Sequence, residues 1–114
     1  MIFHLVPLTD WTADPDAPYA PPSLAAEGFV HCSADRATAL AIADARYRDV
    51  RGTLLAVELD EAALLPDVRR EGASGDRYPH VLGPLNRDAV IRVWQVVRGS
   101  SGGPAALTPW QPVP

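Results

Sequence analysis

The chain has no lysine: all 10 of its basic side chains are arginine. That absence removes a Schiff-base lysine, a pyridoxal-phosphate anchor and a P-loop lysine from the chemistry open to it. Cysteine is almost absent too. Cys32 stands alone, so no internal disulfide can form, which fits a reducing compartment and an expected cytoplasmic location. No apolar run approaches the length of a membrane span. The apolar start, Met1 to Leu8, has no basic flank, no long apolar stretch and no small-residue cleavage pattern, so it does not read as a leader. Positive charge is in deficit, with a formal net charge of -4 and a pI near 5.2. A protein that neutralises phosphate backbones is normally basic, which counts against general nucleic-acid binding. Neither a membrane nor DNA or RNA is therefore an expected partner; a small molecule is.

What is present is an ordinary globular composition, 47% hydrophobic over 114 residues, enough for one core without metal or disulfide. Residues 2–6 read as a strand, with Ile2, His4 and Val6 on one face and Phe3 and Leu5 on the other. Residues 10–22 hold four of the 12 prolines around Trp11 and Tyr19 and read as a loop with one helical turn. Ser23 is expected to cap a short helix that ends at Gly28. Residues 29–32 form a second strand, and Ser33 is expected to cap a helix over residues 34–48 whose buried face is Ala37, Leu40, Ala41, Ala43 and Tyr47. Residues 53–59 read as a central strand, 60–65 as a turn of helix, 68–71 as a short strand and 72–77 as a mobile loop. Residues 78–82 read as a strand with Pro79 at its edge or start, and 89–98 as the last strand, with Val90, Arg92, Trp94 and Val96 on one face and Ile91, Val93, Gln95 and Val97 on the other. The pattern predicts a single α+β domain over residues 1–98, with two or three helices and a split, mostly antiparallel sheet, followed by a loose Gly/Ser/Pro-rich tail, 99–114, in which Trp110 could dock.

The chemistry-bearing residues are three histidines, each inside a strand-like segment: Phe3-His4-Leu5, Gly28-Phe29-Val30-His31-Cys32-Ser33 and Tyr78-Pro79-His80-Val81. An imidazole in such a segment is either hydrogen-bonded or used. A shared pocket is expected, with His4, His31 and His80 lining it. No two of them are closer than 27 positions, whereas zinc sites usually contain a close ligand pair, so no metal is expected. His31 and Cys32 fall on opposite faces of a strand, which makes Cys32 a structural thiol and not a nucleophile served by His31. Ser33 shares the His31 face. Glu71, beside the 72–77 loop, is a candidate general base; Glu58 competes with it if it points inward. Arg69, Arg70 and Arg77 flank the same loop and could fork a phosphate. Tyr19 and Trp11 could stack on a ring. Each of these has a plainer alternative: a satisfied core histidine, a solvated carboxylate, a surface ion pair, an aromatic lid over the core.

Phe3-His4, Trp11, Tyr19, Ser23-Leu24, Glu27-Gly28-Phe29-Val30-His31-Cys32-Ser33, Glu71 and Tyr78-Pro79-His80-Val81-Leu82-Gly83-Pro84-Leu85 together resemble the domain-of-unknown-function family 952 (DUF952), over about residues 1–98. The order of motifs is also similar, more distantly, to ADP-ribosyltransferase-like domains and to the NAD-using RNA 2′-phosphotransferase. There, a strand ending in histidine precedes Gly-Thr, a Ser-Ile/Leu…Glu-Gly segment and a strand ending His-Val-His-Leu-Ser. His4, Ser23-Leu24…Glu27-Gly28 and Val30-His31-Cys32-Ser33 occupy the matching places, while Leu5-Val6 stands in place of Gly-Thr and no arginine precedes the histidine strand.

The resemblance implies an ADP-ribosyltransferase-like fold and NAD as the cofactor. His4 would meet the nicotinamide ribose, His31 and Ser33 would line the nicotinamide pocket, and Glu71 or His80 would take the third place. Three readings follow: an NAD- or nucleotide-binding transferase-like enzyme using His4, His31, His80 and Glu71 with Tyr19, Ser33 and Arg70 on the ligand; a non-catalytic module binding a metabolite or peptide in the same cleft; or a metal-dependent hydrolase built on the three histidines.

Overall fold

The computed structural model describes residues 1–73, 75–98 and 105–110. Two antiparallel sheets divide the strands among them. The larger sheet contains β1 (Ile2–Pro7), β3 (Leu54–Leu59), β6 (Val90–Val97) and β7 (Ala106–Pro109), in the order β1-β3-β6-β7. The smaller contains β2 (Val30–His31), β4 (Val68–Arg69) and β5 (His80–Val81), in the order β2-β5-β4. The described residues also form three α-helices: α1 (Leu8–Trp11), α2 (Pro22–Glu27) and α3 (Arg36–Arg46). The result is the expected α+β domain with antiparallel sheets. No helix among the described residues is long and apolar enough to cross a membrane.

Alternation in β1 and β3 divides the core. Ile2 and Val6 join Leu55, Val57 and Leu59 on one face, with Val30 and Val81 of the small sheet. Phe3 and Leu5 join Leu54 and Ala56 on the other, beneath α3. β3 is central, as its apolar run predicts, and Ala56 shares a cluster with Ala39 and Ala43 of α3. Small residues on both surfaces let a helix lie close to a sheet. Each fully buried Val, Leu or Ile in these clusters contributes about 1.5–3 kcal/mol of transfer free energy.

Several local expectations are corrected. α3 buries Ala39 and Ala43 with Leu40, Ile42 and Tyr47 against the sheet, whereas Ala37 and Ala41 are exposed. Alanines occupy every second position from 37 to 45, so apolarity alone could not choose the face. Ser33 does not cap α3. Its backbone is spent on Phe3, with Phe3 N–H donating to the Ser33 carbonyl at 2.8 Å and Ser33 N–H to the Phe3 carbonyl at 2.7 Å. The helix therefore starts later, and Asp35 caps it by accepting from Thr38 N–H at 2.7 Å. Ser23 does not cap α2 either: Pro21 holds the cap position and Pro22 the first turn, where a missing N–H costs nothing. Gly28 ends α2 at φ +86°, as expected. Val90 sits with the Ile2 face and not with Trp94, because the register slips between Glu58 and Leu59 and the resulting bulge reverses the alternation. Pro79 lies just ahead of β5, which is the middle strand of its sheet. The segment expected as a loose tail supplies β7, and Trp110 N–H donates to the Val93 carbonyl at 3.0 Å; residues 99–104 and 111–114 lie outside the described residues.

The proline-rich loop is tied down by one side chain. Arg87 donates to the carbonyls of Ala17, Trp11 and Asp14 at 2.9, 3.0 and 3.0 Å, and its guanidinium lies 4.0 Å from the centre of the Trp11 ring. A planar fork serves three acceptors where an ammonium cannot. Arg87→Met should therefore destabilise the fold by about 2–3 kcal/mol in urea unfolding, and Arg87→Lys should recover little of it. A near-neutral Arg87→Lys would show that the fork geometry is unimportant.

Candidate functional site

The two sheets meet at the outer edge of β1. There Phe3 and Ser33 exchange backbone hydrogen bonds, and the His4 ring donates Nδ1–H to the His31 carbonyl at 2.7 Å. Beyond this seam the strands part and leave a cleft of about 710 Å³, within the size range of small-molecule sites. Its floor is His4, Leu5 and Tyr19; one wall is Ser33, His31 and His80; the other comes from Ile42 and Arg46 of α3 with Tyr47 behind them. Asp10 and Tyr78 also border it.

The floor is shaped by burial. His4 is 6% exposed, and its ring is held down to about pKa 4, first by burial, against the raising effect of the His31 carbonyl. At neutral pH it is uncharged, with the proton on Nδ1 and a lone pair on Nε2. Among the described residues no buried side-chain nitrogen or oxygen lacks a partner. Nε2 has no protein partner among them, so it is open to the cleft. The Tyr19 ring centre is 5.7 Å from that of His4, and burial pushes the Tyr19 phenol up to about 12. Burial raises Tyr47 as well. Both phenols are thus O–H donors. The backbone adds a further pair: Phe3 points its N–H and C=O toward Ser33, and by alternation Leu5 points its own the same way, into the cleft.

The wall carries the other histidines. His31 and His80 are directly paired across β2 and β5, their ring centres 5.8 Å apart. Phe29 stacks on His80 at 3.9 Å and 13° and touches His31 at 4.7 Å. His31 Nε2 meets Glu27 Oε2 at 2.6 Å. Cys32 is buried, and burial pushes its thiol up to about 12, which leaves it a core residue.

Of the residues singled out from the sequence, His4, Tyr19, His31, Ser33 and His80 line one cleft. Glu71, Arg70 and Glu58 do not. Glu71 is exposed, 3.8 Å from Arg69. Arg70 is clamped on both oxygens of Glu61. Glu58 lies on the α3 side of the large sheet, accepting from Trp94 Nε1–H at 2.8 Å. The sequence does not point to Arg46 or Tyr47 as cleft residues, nor to Glu27 as the partner of His31. Nothing in one arginine of an alanine-rich helix marks it as facing a pocket formed by distant strands. Among the described residues no three His, Cys, Asp or Glu side chains converge as a ligand set for a metal.

Residues 5–93 match the model of a family described as "Protein of unknown function (DUF952)". Among solved structures the fold is similar to the crystal structure of protein CC0527 from Caulobacter crescentus, at 24% identity and a TM-score of 0.73 over 90% of this chain and 91% of that one. A double mutant of the same protein gives 22% identity and a TM-score of 0.72 with the same coverage. No curated protein matches.

The His4 geometry sets a pH dependence. The ring is at about 4 in the fold against an ordinary 6.5, so the unfolded chain takes up the proton first. Stability is full above about pH 6.5, falls as pH drops toward about 4, and loses nothing further to this group below that, a loss on the order of 3 kcal/mol. Urea unfolding at about pH 7 and about pH 4.5 should show it, with a smaller decline in His4→Gln. Equal declines in the two proteins would contradict the buried neutral ring.

Proposed function

The chain belongs to the DUF952 family, and from that premise we propose that its cleft binds NAD or another phosphate-bearing nucleotide in a transferase-like enzyme. The observation that carries the reading is the convergence of three histidines from two sheets on one cleft, with His4 neutral and its Nε2 open. The remaining lining suits such a ligand. Tyr19, Tyr47 and Tyr78 offer ring faces and hydroxyls, and the Leu5 N–H and C=O offer a donor and an acceptor side by side.

The phosphate partner in this reading is Arg46 and not Arg70. Arg46 lines the cleft and has no carboxylate partner among the described residues. Arg70 is committed to Glu61, Arg87 to three carbonyls, and Arg48 and Arg98 to Asp44. A guanidinium without a competing carboxylate keeps its fork for an anion. When bound, NAD would supply an electrophilic ribose with nicotinamide as leaving group.

One observation favours a second reading, a non-catalytic module binding a metabolite or peptide in the same cleft. Neither Glu71 nor Glu58, the two carboxylates with a claim on catalysis, borders it.

An NMR titration with NAD tests both. The nucleotide reading expects the ring signals of His4, His31 and His80 to shift together and saturate. His31→Ala should abolish binding in a protein that still folds, and Arg46→Gln should weaken it by about tenfold. Nicotinamide release then separates enzyme from module. If no histidine moves at millimolar NAD, the nucleotide reading is wrong and other metabolites take its place.

A further inference from the structure

Glu27 and His31 lie four positions apart, yet on different elements: Glu27 ends α2, Gly28 turns the chain, and His31 sits in β2. The 2.6 Å contact between Glu27 Oε2 and His31 Nε2 is therefore a tertiary one, made at the cleft mouth where both side chains are half exposed. A carboxylate has no proton to give at neutral pH, so Nε2 is the donor, and the neutral ring must carry its lone pair on Nδ1. His31 Nδ1 has no protein partner among the described residues. The His31 carbonyl meanwhile holds the His4 ring, so one residue links the mouth of the cleft to its floor.

We propose that Glu27 and His31 form the acid–base pair of this cleft, with Glu27 as the positioning residue and His31 Nδ1 as the base for a hydroxyl-bearing co-substrate or water. The proposal rests on the reading of the cleft as an enzyme site and deepens it by naming its proton acceptor and the chemical class of the second substrate. In the step, the hydroxyl O–H bond would break as its oxygen bonds to the electrophilic ribose carbon of the nucleotide, whose bond to nicotinamide would break, the electron pair leaving with neutral nicotinamide. The proton passes to Nδ1, and the imidazolium so formed is stabilised by the Glu27 carboxylate on Nε2. His80 stands directly opposite on β5, its ring stacked on Phe29 and its centre 5.8 Å from that of His31. This supplies the carboxylate that Glu71 and Glu58 do not.

The test needs no bound nucleotide at first. Long-range ¹H–¹⁵N spectra of the histidine rings should show neutral His31 protonated on Nε2 in the native protein. In Glu27→Ala the ring should move to a mixture of tautomers, while Glu27→Gln, whose amide oxygen can accept the same bond, keeps the native one. Carbethoxylation of His31 by diethyl pyrocarbonate, mapped by peptide mass, should be roughly threefold or more slower in Glu27→Gln than in the native protein, because the negative charge is gone while Nε2 stays hydrogen-bonded. With NAD present, Glu27→Ala should cut nicotinamide release by about tenfold or more while NAD affinity stays within about twofold. An unchanged His31 tautomer in Glu27→Ala, or unchanged carbethoxylation, overturns the pairing whatever NAD does. Failure of NAD to bind, with the tautomer and carbethoxylation shifts as described, overturns the nucleotide reading and leaves the acid–base pair standing.

Discussion

The seam between the sheets organises the rest of this structure. β1 belongs to the large sheet, yet its outer edge is closed at one point by the small one, through the reciprocal Phe3–Ser33 backbone bonds and the His4 to His31 carbonyl contact. A strand edge left unpaired along its whole length would be a pairing hazard. Here the edge is paired at Phe3 and lines the cleft at Leu5. The same seam explains why α3 starts at Arg36, since the Ser33 backbone is already spent. It also explains why His4 is buried and neutral, and why His31 and His80 stand over it.

The chemistry of the cleft follows from unequal burial of like groups. His4 is almost fully buried, gives its one proton to a backbone carbonyl and presents a lone pair. His31 is exposed enough to hold a carboxylate, and His80 is pinned by a phenyl ring. Three side chains of one kind thus stand in three different surroundings. Tyr19 and Tyr47, both pushed up by burial, add donors that keep their protons across the physiological range.

Much of the fold was legible in the sequence where a side chain has only one comfortable place. The alternation Ile2, His4, Val6 against Phe3, Leu5 assigned both faces of β1, and the unbroken apolar run of β3 placed it centrally. Gly28 marked the end of α2 by its left-handed turn. The reading failed where several residues compete for one role. Alanines lie on opposite faces of α3, so apolarity places Leu40, Ala43 and Tyr47 on the buried face but adds the exposed Ala37 and Ala41 and omits Ala39. Ser33 is a good cap in isolation, but a backbone already paired to Phe3 cannot also start a helix. The bulge beside Glu58, which moves Val90 to the other face, has no local signature.

For the site, the sequence singles out His4, His31 and His80 because polar groups within apolar strands must be satisfied or used, Tyr19 as an aromatic of the proline-rich loop, and Ser33 through the resemblance. Those five do share a cleft. Carboxylates and arginines are different. They are solvated almost anywhere on a surface, so their position in sequence carries no direction. That is why nothing in the sequence separates Glu71 and Arg70, which lie away from the cleft, from Arg46, which lines it, or from Glu27, which holds His31. The sequence by itself determined the strands as far as β6, the faces of β1 and the histidines set among them, since those follow from local periodicity and the cost of burying a polar atom. Only the tertiary structure decided which charged groups reach the cleft, because that depends on how two sheets and a helix close around the edge of β1.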